Sequence, residues 1–169
     1  MQKSKIIFLG LGSNLGDKKN HLKRALNLIA TKIGSIEKTS SIYQTPPWGF
    51  DAKDDFYNMV VKVKTELEPF SVLKIIADIE LEIGRIKEIA LGYESRVIDL
   101  DILDFDGLIL DEPNLLLPHA QMHLRKFVLV PLQEIEPTWQ HPVFKQNCSG
   151  LLKRITTYDL IKKLTDTID

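Results

Sequence analysis

The sequence predicts an α+β domain, on three observations. Runs of strand period and runs of helical period follow one another in the order β-α-β-β-α-β. Glycine, proline or aspartate stands at almost every boundary between them, where caps and turns need it. The strand runs are rich in β-branched residues and short enough to be joined by two helices and tight turns. Strands and helices in that order form a sandwich of the ferredoxin-like type: a mostly antiparallel sheet with helices packed on it, here with C-terminal additions. The strand near residues 98–105 would then be central.

Residues 5–11 read as a buried strand, and Gly10-Leu11-Gly12-Ser13-Asn14-Leu15-Gly16-Asp17 as a glycine-rich turn after it. Asp17 suits a helix N-cap. Leu22, Ala25, Leu26, Ile29 and Ile33 recur at helical spacing, and Gly34 closes that helix. Strand, glycine loop and helix invite a nucleotide reading. However, the glycines run G-x-G-x-x-x-G and no Gly-Lys-Ser/Thr follows, so neither the dinucleotide nor the phosphate-loop fingerprint is met. A tight turn walling a pocket fits better.

Residues 35–44 form the second strand and run into Thr45-Pro46-Pro47-Trp48-Gly49-Phe50, a loop stiffened by its prolines. Trp48 either covers a flat ligand or packs on its own loop. The strand at 56–66 is the clearest. Tyr57, Met59, Val61 and Val63 share one face, and Phe56, Asn58, Val60, Lys62 and Lys64 share the other. Asn58 beside Phe56 pairs an amide with a ring, a combination that suits a heterocycle or, more plainly, a neighbouring loop. Pro69 opens the second helix at its permitted first turn. Val72, Ile75, Ile76, Ile79 and Ile83 form its apolar stripe and Gly84 ends it, with Glu80 and Glu82 expected in solvent.

The segment Arg96-Val97-Ile98-Asp99-Leu100-Asp101-Ile102-Leu103-Asp104-Phe105 is the informative one. In a strand, Asp99 and Asp101 project from one face about 7 Å apart, with Ile98, Leu100 and Ile102 on the other. Two hard anionic oxygens so placed can grip a divalent cation, and Mg²⁺ is bound by one or two carboxylates plus substrate phosphates. A solvated acidic face is the alternative. Arg85, Lys87 and Arg96 flank the acids, and acids among cations suit a polyphosphate, although surface ion pairs are common.

Asp106-Gly107 is a hairpin signal, with a return strand expected over 108–110. His119, His123 and Arg125 then add donors. The two histidines are four apart, but no acidic third ligand accompanies them, so a zinc site ranks below a phosphate or base contact. Residues 127–135 read as an apolar helix interrupted at Pro131, and the tail over 151–164 as a weakly amphipathic cover for the core's edge.

A chain of 169 residues, 44% hydrophobic and 27% charged, fits one domain over residues 1–169 with a full core. The net charge of -1 supplies no field toward nucleic acid or membrane, so a phosphate site must be a local cluster of Lys and Arg. The single cysteine, Cys148, cannot close an internal disulfide and suits a reducing cytoplasm. The apolar run over 6–11 is too short for a membrane helix.

Six segments together resemble the hydroxymethyldihydropterin pyrophosphokinase family of folate biosynthesis, over about residues 6–137. They are Leu11-Gly12-Ser13-Asn14-Leu15-Gly16; Tyr43-Gln44-Thr45-Pro46-Pro47; Phe56-Tyr57-Asn58; Ile79-Glu80 with Gly84-Arg85; Arg96-Val97-Ile98-Asp99-Leu100-Asp101-Ile102-Leu103; and Pro118-His119 with Arg125-Lys126-Phe127-Val128-Leu129. The resemblance implies transfer of pyrophosphate from ATP to the hydroxymethyl group of a reduced pterin, with release of AMP and two Mg²⁺ ions involved. It implies that Asp99 and Asp101 bind both ions and that Arg85 and Arg96 stabilise the moving charge. It also implies that His119 and Arg125 contact ATP, with Ile102 and Leu115 near adenine or ribose. Phe56 and Phe127 would sandwich the pterin, while Asn58 and the Thr45 backbone read its edge, with Pro46 and Trp48 beside it. A cytoplasmic monomer acting on pterin and ATP, with no nucleic acid and no membrane, is expected. The chain departs from the family where Gly92-Tyr93-Glu94-Ser95-Arg96 replaces the usual Trp-Gly-Pro-Arg, and where Lys87 replaces a frequent second Arg. A nucleotidyl transferase using the same acids, and an RNA-binding domain of the same strand order, are the competing readings. The second lacks an aromatic motif and a basic face.

Overall fold

The computed structural model describes residues 2–47, 54–84, 96–164 and 168. In chain order it has β1 (Lys5–Ser13), α1 (Lys18–Lys32), β2 (Ser35–Thr39), β3 (Tyr43–Thr45), β4 (Phe56–Thr65), α2 (Pro69–Ile83) and β5 (Asp99–Phe105). There follow β6 (Leu110–Glu112), β7 (Leu115–Leu117), a 3₁₀ turn (Met122–Leu124), α3 (Lys126–Ile135), α4 (Cys148–Arg154) and β8 (Lys162–Lys163). The main sheet runs β5-β1-β4-β3-β8, with β2 also paired to β4, and every pairing is antiparallel. This is the predicted α+β architecture. The expected second strand is split into β2 and β3 at Ser40, whose hydroxyl takes the Val60 N–H.

Local chemistry accounts for the helix ends. The Asp17 side chain accepts from Asn20 N, Pro69 occupies the first turn of α2, and Gly84 ends it at φ 120°. Alternation along β1 and β4 then builds two cores. Ile7, Leu9, Leu11, Met59, Val61 and Val63 meet Leu22, Ile29, Ile76 and Ile79 of α1 and α2. On the opposite face Phe8, Val60 and Leu103 meet Val128, Leu129 and Leu132 of α3 and Leu151 of α4. The C-terminal helices thus cover the face that a two-layer sandwich would leave bare. Each fully buried aliphatic side chain contributes about 2 kcal/mol.

Six expectations change. Gly10 and Gly12 lie inside β1, which runs to Ser13, and not in a turn. β5 is not central: it pairs with β1 alone and ends the sheet. Its outer N–H at Leu100 is satisfied by Glu80 Oε1 at 2.9 Å, so Glu80 is buried and not solvated. The Asp106–Gly107 turn forms, with φ of 52° and 73°, but the strand after it, β6, pairs with β7 instead of returning along β5. Finally, α3 continues through Pro131, and the tail beyond α4 is extended and adds β8 to the sheet.

Beside α4, His141 is 3% exposed and its Nδ1 accepts from both Val143 N and Phe144 N. Nε2 therefore carries the ring proton, and a second proton must displace those two bonds. Burial, then the neighbouring His123, hold its pKa down at about 4 against the usual 6.5. The unfolded chain binds this proton first, so the stability contribution is intact above pH 6.5 and is lost as the pH falls toward 4. We expect the melting temperature to drop over that window by several degrees. His141→Asn, which keeps an acceptor but does not titrate, should flatten the slope; an unchanged slope would contradict this placement.

Candidate active site

The acids come together through strand parity, and two glycines in the neighbouring strand leave open space beside them. Cross-strand register places Asp99 opposite Gly12, and Gly12 opposite Asn58. The next row on that face is Asp101, Gly10 and Val60. Two glycines at alternate positions of β1 leave a bare floor between the acid strand β5 and the amide strand β4. Above it lies a cleft of about 680 Å³, partly open to solvent. Asp99, Asp101 and Arg96 line one end; Phe56, Asn58, Thr45 and Pro46 line the other; Arg125 and Phe127 close the side.

The floor has to be glycine. A Cβ at Gly12 would stand 2.9 Å from Asn58 Oδ1 and 3.6 Å from the Phe56 ring. Asn58, 7% exposed, donates through Nδ2 to Thr45 Oγ1 at 2.8 Å. This bond fixes the amide with its oxygen beside the floor. Gly12→Ala should displace the amide and weaken binding of a ring there by about tenfold, while nucleotide affinity holds. Calorimetry with each ligand separately checks this, and equal losses for both would contradict it.

At the acid end, Arg96 donates to Asp99 Oδ1 at 2.8 Å. The Arg96 backbone is itself clamped: its N–H donates to Asn14 Oδ1 at 2.6 Å, and its carbonyl accepts from Asn14 N at 3.1 Å. Asn14 is fully buried, so the cation is aimed from a fixed point. The Asp101 side chain keeps 38% of its surface open, yet its depth in the cleft and then the Asp99 charge raise its pKa to about 7, with Arg125 opposing. Its Oδ1 lies 4.0 Å from His119 Nε2. His119 accepts from Gln121 N through Nδ1, which leaves Nε2 as its donor. Burial, then Arg125, lower its pKa to about 4, so the ring is neutral at pH 7. Arg125, 6% exposed, donates to Gln121 Oε1 at 2.6 Å, and its guanidinium lies 5.5 Å from the centre of the Phe127 ring.

A bulge in β5 opposite Phe8 and Leu9 turns Asp104 onto the same face as Asp99 and Asp101. It is 4% exposed, and Oδ2 accepts from Trp139 Nε1 at 3.0 Å, which seals it away from the cleft.

The structure therefore gathers Asp99, Asp101, Arg96, Arg125, Thr45, Pro46, Phe56, Asn58 and Phe127 around one cleft, with His119 at its acid end. Arg85 and Trp48 lie outside the described residues, as do Lys87 and Tyr93. The side chains of Ile102 and Leu115 are not brought there. They are 5% and 7% exposed and packed in the core under α1 and α2, because Ile102 has the opposite parity to Asp101. His119 and His123 do not converge: the His123 ring packs on Phe144, 4.7 Å between centres, and faces His141. Sequence reasoning missed Gly12, Asn14 and Glu80. Glu80 does fall on the stripe Ile76, Ile79, Ile83, four residues after Ile76, which signals burial. No comparable pattern marks Asn14.

The family described as 7,8-dihydro-6-hydroxymethylpterin-pyrophosphokinase (HPPK) matches residues 8–137. A 2-amino-4-hydroxy-6-hydroxymethyldihydropteridine pyrophosphokinase of Porphyromonas gingivalis is 42% identical over 139 residues, which is 81% of this chain and 94% of the relative. A protein of the same name from Bacillus subtilis is 41% identical over 131 residues, 77% of each chain. Among solved structures, Plasmodium falciparum HPPK-DHPS wild type with pteroate superposes on 91% of this chain with a TM-score of 0.75 at 19% identity. This chain spans 45% of that longer one, and the likeness is one of fold.

Proposed function

The chain belongs to the 7,8-dihydro-6-hydroxymethylpterin-pyrophosphokinase family and is an ATP-dependent pyrophosphokinase of folate biosynthesis acting on hydroxymethyldihydropterin, and we propose that the cleft over Gly10 and Gly12 is where it does so. The observation that carries this reading is the pairing, across one bare floor, of an acid pair with a buried amide, in a cleft that Phe56 and Phe127 also line.

The pterin lies between Phe56 and Phe127, with Asn58 and Thr45 at its hydrogen-bonding edge and Pro46 and Trp48 beside it. A flat ring suits the aromatic walls, and the fixed amide makes rejection of rings lacking the matching groups costly. ATP lies toward His119, Arg125, Arg96 and Arg85. Any contact by Ile102 or Leu115 with adenine or ribose runs through their backbone. The hydroxymethyl oxygen bonds to the β-phosphorus, its proton passes to water, the bond from that phosphorus to the α–β bridging oxygen breaks, and AMP departs with that oxygen. No protein nucleophile is needed; the protein positions and neutralises.

Asp99 and Asp101 fit Mg²⁺: they offer hard oxygens, and a donor set too small to cage an ion suits one that also keeps water and phosphate oxygens. When bound, two such ions would neutralise phosphate charge and acidify the attacking hydroxyl. Arg96 and Arg85 would hold the phosphate oxygens as charge moves between them, and neutral His119 would donate Nε2–H to a phosphate.

The reading also takes the protein as one domain over residues 1–169 that acts as a cytoplasmic monomer on small molecules, without nucleic acid or membrane. A net charge of -1 supplies no field toward nucleic acid or an anionic membrane. Among the described residues no helix is long and apolar enough to cross a membrane. The mass of the products tests the chemistry. The expected pair is a pterin carrying two added phosphoryl groups, and AMP. A pterin carrying a nucleoside monophosphate, with free pyrophosphate, would mark a nucleotidyl transferase and overturn the assignment.

A further inference from the structure

The chain beyond α4 plays none of these parts and lies outside the 8–137 span of the family match. It is nevertheless tied at both ends. Near its start, the Thr157 carbonyl accepts from Lys126 Nζ, on the first residue of α3, at 3.3 Å. Near its end, β8 pairs with β3, with Lys163 opposite Tyr43 and Lys162 opposite Gln44, and Leu164 N donates to the Ile42 carbonyl at 2.9 Å. Lys163 Nζ stands 4.0 Å from the Glu134 carboxylate, which also accepts from the Tyr43 hydroxyl. Leu164 and Ile168 pack against the core. The segment therefore bridges the start of α3 to β3.

These two elements carry the outer walls of the main cleft. A second cleft, of about 310 Å³, has Thr45, Pro46, Pro47, Lys126 and Phe127 on one side and Asp159, Leu160 and Ile161 on the other. Thr45, Pro46 and Phe127 line both clefts. They form a partition with the main site in front and the C-terminal segment behind.

We propose that residues 157–164 are a positioning strap that holds this partition at the spacing a pterin ring requires, and so sets pterin affinity without touching the substrate. The proposal rests on the reading of Thr45, Pro46 and Phe127 as the pterin's walls. β3 is only three residues long and is held by β4 on one side; β8 holds its other edge. Without the strap, the rim would sample wider arrangements, and binding would have to order it. Most of the ATP contacts, through Arg96 and His119, lie at the acid end of the cleft, away from β3, and depend little on that cost.

Two full-length variants test the strap. Leu164→Pro removes the N–H that joins it to Ile42, and Ile161→Ala thins the wall behind the partition. Binding of 6-hydroxymethylpterin is measured by calorimetry with Mg²⁺ and a non-hydrolysable ATP analogue, and the analogue is also titrated alone. Leu164→Pro should raise the pterin Kd about tenfold and Ile161→Ala about threefold, with the analogue's Kd unchanged and kcat at saturating pterin within about twofold of wild type. Unchanged pterin affinity in a folded Ile161→Ala protein overturns the strap, as does a parallel loss of pterin and analogue binding with the melting temperature. If Leu164→Pro does not fold, Ile161→Ala decides alone. Failure of the wild type to bind the pterin would instead refute the pterin reading and is seen before any variant is compared.

Discussion

Asp101→Ala and Asp99→Ala should each lower kcat by about 10³-fold or more if, as proposed, the two carboxylates hold the cations, because phosphate charge neutralised in that way would be worth several kcal/mol in the transition state. The fold should survive both changes. Side-chain exposures of 28% and 38% place Asp99 and Asp101 on the cleft surface and outside either core. Asp101 is in fact a liability to the folded chain. Its pKa is raised from 3.8 to about 7, first by its depth in the cleft and then by Asp99. Such a carboxyl contributes its stability below pH 3.8 and loses it as the pH rises through 7. Asp101→Asn, compared with wild type in EDTA, should therefore melt at a similar temperature near pH 4 and at a higher one near pH 8. Loss of turnover together with gain of stability is the signature of a group kept for chemistry. Wild-type turnover in either alanine variant, or collapse of the fold, would contradict the role.

Arg96→Ala should cost about 10³ in kcat, the lower end of what a positioned arginine supplies in phosphoryl-type transfer, and should leave the pterin Kd within about twofold of wild type. The guanidinium touches Asp99 and lies at the acid end of the cleft, away from Asn58 and Phe56. Its backbone is clamped by buried Asn14, so the loss should reflect the side chain alone. Arg96→Lys should recover little, because an ammonium cannot make the forked contact with phosphate oxygens. Asn14→Ala should reproduce part of the kcat loss by freeing the Arg96 backbone. A defect confined to pterin KM would show that Arg96 binds substrate without stabilising the transition state.

The parts of this site legible in the sequence are those that depend on local period. Parity put Asp99 and Asp101 on one face of their strand and Phe56 and Asn58 on one face of theirs, and the register brings both pairs to the same face of the sheet. Caps at Asp17, Pro69 and Gly84 follow from single-residue chemistry and appear where expected. The misplaced parts depend on which strand pairs with which. β5 ends the sheet because its outer edge is closed by one carboxylate, that of Glu80 on α2, and no local pattern specifies such a partner. Gly10 and Gly12 read as turn residues in a glycine-rich run, and glycine is uncommon inside strands; their alternate spacing makes sense only once a cleft needs a floor. Ile102 shows a conflict between two lines of argument. Parity assigned it to the core, the family resemblance placed it near the nucleotide, and the structure buries its side chain.

A crystal structure with 6-hydroxymethylpterin, Mg²⁺ and a non-hydrolysable ATP analogue would show whether both substrates lie over the glycine floor. The pterin ring is expected between Phe56 and Phe127 with its amide edge on Asn58 and its hydroxymethyl oxygen over Gly12, and Asp99 and Asp101 would hold cations that neutralise the phosphates. A pterin bound away from the Gly10–Gly12 floor, or phosphates that leave both carboxylates without a cation, would contradict this arrangement.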